Sequence, residues 1–301
     1  MDVPAAARPQ TGEARRLGVG LLILLALLAF EIIGALLSGS LALLGDAGHV
    51  LMDAVALGGS FVAARMALRR PTPQFTFGFA RLEILVAFAN GLALFAIALT
   101  LTGLGIWRLL HPTRVEGGIM LAFAAVGLVA NLAIMVIFRS GLHGRLNIES
   151  AFWHILGDTL SSVLVVAGGV LVATTGESRV DAVASFTVAA LNFFGATRLV
   201  TRAGRILLEG AAFPVDDVAA ALTAVPGVSM VHHIHLRTLT DGIVTLTARV
   251  HPVGDPRLSE CGPLLGAIEA VLKERFGIRH ATIQFEVDDG DRAVSCVLGH
   301  D

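Results

Sequence analysis

LGVGLLILLALLAFEIIGALLS (17–38) decides the fold, because one charged side chain, Glu31, interrupts an otherwise apolar run of 22 residues. A helix rises ~1.5 Å per residue, so the run covers the ~30 Å hydrocarbon core of a bilayer. Five further runs of this kind follow, over 41–67, 79–109, 117–139, 147–174 and 180–204. The breaks are SGS (38–40), RRPTPQFTFG (69–78), HPTRVEGG (111–118), RSGLHGRLN (139–147) and TTGESR (174–179), each carrying Gly, Pro or a charge cluster that ends a helix. The opening MDVPAAARPQTGEARR (1–16) is polar, and the run behind it is longer than a signal-peptide core and lacks an obvious cleavage site, so the first span is expected to be retained.

Composition agrees. Of 301 residues 55% are hydrophobic and 15% charged, where a soluble domain holds about a quarter charged. Mean hydropathy is +0.77. The surplus ends near residue 208, and the rest resembles an ordinary soluble domain. The expected organisation is an N-terminal tail (1–16), a six-helix transmembrane domain (17–208), a soluble domain (209–290) and a C-terminal tail (291–301). Twelve arginines (Arg8, Arg15, Arg16, Arg65, Arg69, Arg70, Arg81, Arg139, Arg145, Arg198, Arg202 and Arg205) fall on one side of this topology, against Arg108, Arg114 and Arg179 on the other. The bias places both termini in the cytoplasm. High Ala, Gly and Arg content with short loops suggests a bacterial plasma (inner) membrane. No basic stripe with interleaved aromatics supports nucleic-acid binding. Cys261 and Cys296 form no disulfide framework and read as reduced thiols.

The soluble part reads as α+β. VDDVAAALTAV (215–225) has helical spacing; 228–239 and 242–252 alternate around Thr-Asp-Gly as a hairpin; 257–277 is an amphipathic helix ending at Gly277; 278–289 is a third strand. The order αββαβ predicts a small sheet with helices on one face.

Ionisable groups inside lipid are costly and mark sites or pathways. GDAGHVLMD (45–53) in the second span and FWHILGD (152–158) in the fifth each place a His four residues before an Asp: His49 with Asp53, and His154 with Asp158. Residues i and i+4 share a helix face. Counted from the span ends, His49 and Asp53 lie ~12 and ~18 Å deep and His154 and Asp158 ~10 and ~16 Å from the opposite surface. In antiparallel helices His49 is then level with Asp158, and Asp53 with His154. Two imidazoles and two carboxylates can close a tetrahedron suited to Zn²⁺, with Cd²⁺ and Co²⁺ hard to exclude. The bland alternative is that these groups only glue helices together, which two identical pairs at matching depth disfavour. Asp46 is placed to orient His49 or to line the entry. Glu31, Asn90, Asn131 and Asn192 are further polar groups inside the spans that could pack helices or wet a cavity, and packing is expected for the three asparagines.

At these residues the chain resembles the cation diffusion facilitator family of metal/proton antiporters, from about residue 17 to 287. LLSGSLALLGDAGHVLMD (36–53) resembles its second-span signature. FTFGFARLEILVAFANG (75–91) resembles its Tyr-Gly-x-x-Arg-x-Glu stretch, with Phe77 in place of Tyr. NIESAFWHILGDTLSSVLVVAGG (147–169) resembles its fifth span, and PGVSMVHHIHLRTLTDGIVTLTARVHP (226–252) with RHATIQFE (279–286) its cytoplasmic domain. The resemblance implies a ferredoxin-like cytoplasmic domain that dimerises and binds further Zn²⁺, with His235, His251, His280 and Glu286 at the family's metal-binding positions. His233 and Arg237 stand where the family often has Asp and Trp. Strand alternation puts His233 and His235 on one face and His232 on the other, and all three stay candidates.

The implied function is export of Zn²⁺ from the cytoplasm in exchange for H⁺ by alternating access, in a homodimer within the lipid bilayer. The chain is not expected to be an enzyme: a metalloprotease needs a His-Glu-x-x-His-type motif and an open metal position. The remaining alternative is a membrane zinc sensor or scaffold that binds metal without moving it.

Overall fold

In the computed structural model the described backbone covers residues 11–67, 69, 71–141, 148–240, 242–254 and 256–286; side chains are described over 21–63, 65–66, 69, 71–133, 156–240, 242–254 and 256–286. The expected tails 1–16 and 291–301 lie largely or wholly outside these residues, as do Cys296 and the side chain of His154. The chain divides into two compact units, Met1–Arg70 with Val86–Thr201, and Pro71–Leu85 with Arg202–Asp301.

Six long helices run in order: α1 Thr11–Ser38, α2 Leu41–Ala67, α3 Leu82–Leu110, α4 Gly117–Gly141, α5 Ile148–Thr175 and α6 Arg179–Leu207. Among the described residues five carry stretches long and apolar enough to cross a membrane; in α4 the described apolar stretch, Gly117–Ala133, is shorter. The protein is a multi-pass membrane protein. Its large side chains point outward in an apolar belt that includes Leu22, Leu36, Val129 and Phe194, as a lipid-facing surface requires. Breaks fall where glycine permits a reversal: Gly39 and Gly176 adopt φ of +70° and +72°. Helix α3 begins three residues later than its apolar run, because Gly78 (φ +65°) sits in a series of turns just before it. Helix α1 packs on α2 and α4, α4 on α5, and α2 on α5. Ala42, Leu43, Met120, Val165 and Val188 form the centre of an apolar cluster.

The second unit contains α7 Val215–Thr223, β1 Val228–Thr240, β2 Ile243–Pro252, α8 Gly262–Phe276 and β3 His280–Phe285. The αββαβ order is the expected one. Sheet order is β1-β2-β3, with β1 antiparallel to β2 and β2 parallel to β3 across α8. Val218 and Leu222 of α7 and Ile268 and Leu272 of α8 pack on Val231, Ile234, Leu236, Leu246 and Val250. The final helix opens at Gly262 rather than 257. A short 3₁₀ turn, Leu258–Glu260, comes first, its Glu260 carboxylate accepting from the Arg257 amide at 3.0 Å, and Pro263 then starts the helix. Gly277 ends it in the left-handed conformation, φ +67°.

The alternation expected of β1 is broken. His232 pairs with Arg249 but His235 pairs with Thr247, so three residues of β1 span two of β2. His233 takes up the extra residue at φ +51°. This β-bulge moves Ile234 and Leu236 into the core and sets His232 on the same sheet face as His235, correcting the expectation that placed them on opposite faces.

Ile268 is fully buried at the centre of this core. Ile268→Ala should cost ~2–5 kcal/mol, seen as a lower unfolding midpoint for the soluble unit in denaturant titration of the full-length protein.

Candidate metal centre

Helix α2 presents His49 and Asp53 one turn apart, and α5 presents Asp158. His49 Nε2 lies 2.9 Å from Asp158 Oδ1 and 3.8 Å from Asp53 Oδ2. The side chains are 18–20% exposed. All three donors fall within 4.8 Å of one another. Tetrahedral zinc with bonds of ~2.0–2.1 Å sets its ligand atoms ~3.3 Å apart, so the trio fits a metal with small adjustments. His49 meets Asp158, the level pairing expected of antiparallel helices. His154 lies on the described backbone of α5, but its side chain lies outside the described residues.

One turn away, buried Asp46 accepts from Ser161 Oγ at 2.8 Å and from Ser162 Oγ at 3.3 Å, and Ser162 Oγ in turn accepts from Asn131 Nδ2 at 2.8 Å. Asp46 thus ties α2 to α5 directly below the apolar cluster. The serines carry no sequence signal of their own; only their i+3 and i+4 spacing from Asp158 puts them on that face. Glu31 is buried with neither carboxyl oxygen hydrogen-bonded, lying where Gly127 leaves room: a Cβ there would stand 3.1 Å from its Oε1. Asn90 and Asn192 are also buried.

A second cluster stands on the helix-free face of the sheet. His232 Nε2 lies 2.8 Å from His251 Nε2 and 3.4 Å from Glu286 Oε2, with both histidines fully buried. His232 Nδ1 lies 2.9 Å from His233 Nδ1, and Arg249 Nε lies 3.4 Å from Glu286 Oε1. In each imidazole contact one ring N–H donates to the other ring's lone pair. Two nitrogens and a carboxylate within 4.8 Å fit a zinc ion. His235 and His280 face the same way but elsewhere. His235 is opposite Thr247, four residues (~13 Å) along β2 from His251. His280, exposed and edge-on to Phe77, starts β3 six residues (~20 Å) before Glu286. Within one chain neither reaches the His232–His251–Glu286 cluster.

Apolar helices around a cluster of imidazole and carboxylates, joined to a small α+β domain with a second such cluster, define a polytopic membrane protein built to handle cations. The family model of the cation efflux transmembrane domain matches residues 17–208, and that of the cation efflux protein cytoplasmic domain matches 213–288. The chain belongs to the cation efflux family. It is 36% identical over 283 residues to the zinc transporter ZitB of Escherichia coli K12, covering 92% of this chain and 89% of that protein. It is 34% identical over 284 residues to the metal cation efflux system protein CzcD of Cupriavidus metallidurans, covering 94% and 89%. Against the cadmium, cobalt and zinc/H(+)-K(+) antiporter of Bacillus subtilis it is 35% identical over 274 residues, covering 88% and 87%.

In a full-length chain carrying Asp158→Ala to remove the membrane cluster, His232→Ala or His251→Ala should weaken zinc binding by about 100-fold. His280→Ala should change it by less than about threefold. Calorimetric titration of the three variants checks this, and an equal loss for His280→Ala would place the site at the other end of the sheet.

Proposed function

We propose that the protein exports Zn²⁺ from the cytoplasm in exchange for H⁺, with Cd²⁺ and Co²⁺ as further substrates, through a tetrahedral site formed by His49, Asp53, His154 and Asp158. The observation that carries this reading is the convergence of His49, Asp53 and Asp158 from two helices inside an apolar bundle. A carboxylate pair beside imidazole has little reason to stand in lipid unless a cation passes there. The names of the relatives agree: one is a zinc transporter, one a metal cation efflux system protein, and the third an antiporter of cadmium, cobalt and zinc against H⁺ and K⁺.

The exchange follows from competition. Zinc binds the neutral imidazole and the ionised carboxylate, so its arrival displaces protons, and protons arriving from the other side displace zinc. An ordinary imidazole titrates near pH 6.5, inside the range a cell can impose. The residues 17–208 serve as the transporting domain and 209–290 as a cytoplasmic domain that dimerises, with zinc held at His232, His251 and Glu286 and with His233 and Arg249 against them. Both termini are cytoplasmic in a bacterial plasma membrane.

Purified protein reconstituted in vesicles holding a zinc dye, under an imposed pH gradient, tests the reading. Wild type should show gradient-dependent zinc flux, and His49→Ala, His154→Ala and Asp158→Ala should each lose at least about tenfold of it. Equal flux in all four would place the ligands elsewhere, and zinc binding without flux would favour a sensor.

A further inference from the structure

Asp181 opens α6 and is fully buried. Its carboxylate joins three helices. Oδ1 accepts from Ser40 Oγ at 2.5 Å and from the Ala42 amide at 3.2 Å; Oδ2 accepts from the Leu41 amide at 2.7 Å and from Arg108 Nη1 at 3.2 Å. Arg108, in the last turn of α3, also donates to the Gly39 carbonyl. A side chain of α6 therefore caps α2, taking N–H groups that a helix start leaves without partners. The positive end of the α2 dipole and the α3 guanidinium balance its charge. Ser40 Oγ also accepts from the Leu43 amide at 3.1 Å, and the Ser38 carbonyl accepts from the Glu116 amide at 2.9 Å, so the whole α1–α2 turn is fixed.

Further along α2 the contacts with α3 and α6 change character. Gly48 lies against Ile97, Gly59 against Val86, and Met52 packs with Leu94 and Ala196. Apolar contacts are non-directional and can slide past one another. The bonds at Asp181 cannot: parting them would strand a buried carboxylate, a guanidinium and two amides together.

We propose that Asp181 is a positioning residue that holds the N-terminal end of α2 on α3 and α6 through the whole transport cycle, so that α2 swings about that end. The proposal rests on the reading of the protein as a transporter. Asp53 lies ~18 Å along the axis from Leu41 and Val62 ~32 Å. A swing of about 10° moves them ~3 Å and ~5–6 Å, within the range of hinge motions. A shift of ~3 Å is as long as one edge of a zinc tetrahedron, enough to assemble or break the site.

The test replaces the anchor by a covalent one. Ser40 Oγ and Asp181 Oδ1 stand 2.5 Å apart, and a cysteine sulfur at 181 takes the place of the carboxylate carbon one bond short of Oδ1, so the two sulfurs lie within a small side-chain and backbone adjustment of a disulfide bond. In a chain with Cys261→Ser and Cys296→Ser, the pair Ser40→Cys with Asp181→Cys should, when reduced, lose at least about tenfold of the zinc flux, and when oxidised recover to within about threefold of the parent. An oxidised pair as inactive as the reduced one would overturn the proposal, since the helix ends must then separate in each cycle. Unchanged flux in the reduced pair would overturn it equally. Spin labels in the chain with Asp181 intact give a reading independent of flux, at exposed Leu44 with Val183 near the anchor and at exposed Val62 with Thr201 far from it. Adding zinc should leave the first distance within ~2 Å and shift the second by ~5 Å; the opposite pattern would overturn the proposal. A parent chain that shows the expected distances but no flux would instead count against transport.

Discussion

Nothing in the hydrocarbon of a bilayer can hydrogen-bond a polar group, so each one the protein carries there must find its partner within the protein or cost several kcal/mol. The helices of this chain answer that demand at several points, with the buried Glu31 carboxyl an exception. His49 and Asp158 satisfy each other across α2 and α5. Asp46 finds two serine hydroxyls on the same neighbour, and Asn131 of α4 joins through Ser162. Asp181 takes the start of α2 and the end of α3. Between these polar tie points the buried contacts are mostly Ala, Val and Leu, with Met120 at the centre of one cluster, and they fill space without setting register. The polar groups select which helix faces meet, and the apolar ones follow.

The soluble unit solves a related problem by a backbone irregularity. Two buried imidazoles on the helix-free face of a three-stranded sheet need each other and a carboxylate, because no core covers them from the α7–α8 side. One extra residue in β1 supplies that arrangement. With His233 absorbing the bulge at φ +51°, Ile234 and Leu236 keep the core on one face while His232 is turned towards His251 on the other. Histidine is among the non-glycine residues that enter the left-handed region more readily, where a β-branched residue would be strained.

These two sites differ in how far the sequence revealed them. His49, Asp53 and Asp158 were legible because a helix converts i, i+4 spacing into a shared face without further information, and because antiparallel spans fix which levels meet. The αββαβ order was equally legible from Gly242, Gly277 and the change of hydrophobic period. The face of His232 was not: alternation is a rule for unbroken strands, and a bulge is decided by which residues the core takes, here Ile234 and Leu236. The role of Asp181 was also hidden. A carboxylate in the first turn of a helix reads as a cap for its own helix, yet this one caps α2, 140 residues away in sequence. Partners supplied across the fold leave no local spacing to read.

Burial separates the two clusters in a way that suits different tasks. The donors in the membrane are about one-fifth exposed, and those in the sheet include two histidines that are fully buried. On the proposed reading as a transport site, the membrane cluster must release its ion in each cycle, and donors left partly exposed are easier to part from it than donors sealed in a core. A site closed over by its own chain holds an ion for longer and links its binding to folding. The membrane cluster also draws its donors from two separate helices, whose relative motion can dismantle it, whereas the sheet cluster draws on strands locked by continuous hydrogen bonds. If both clusters take zinc as proposed, the same imidazoles and carboxylates would give a transient site where they bridge elements that can move apart, and a lasting one where they share a single sheet.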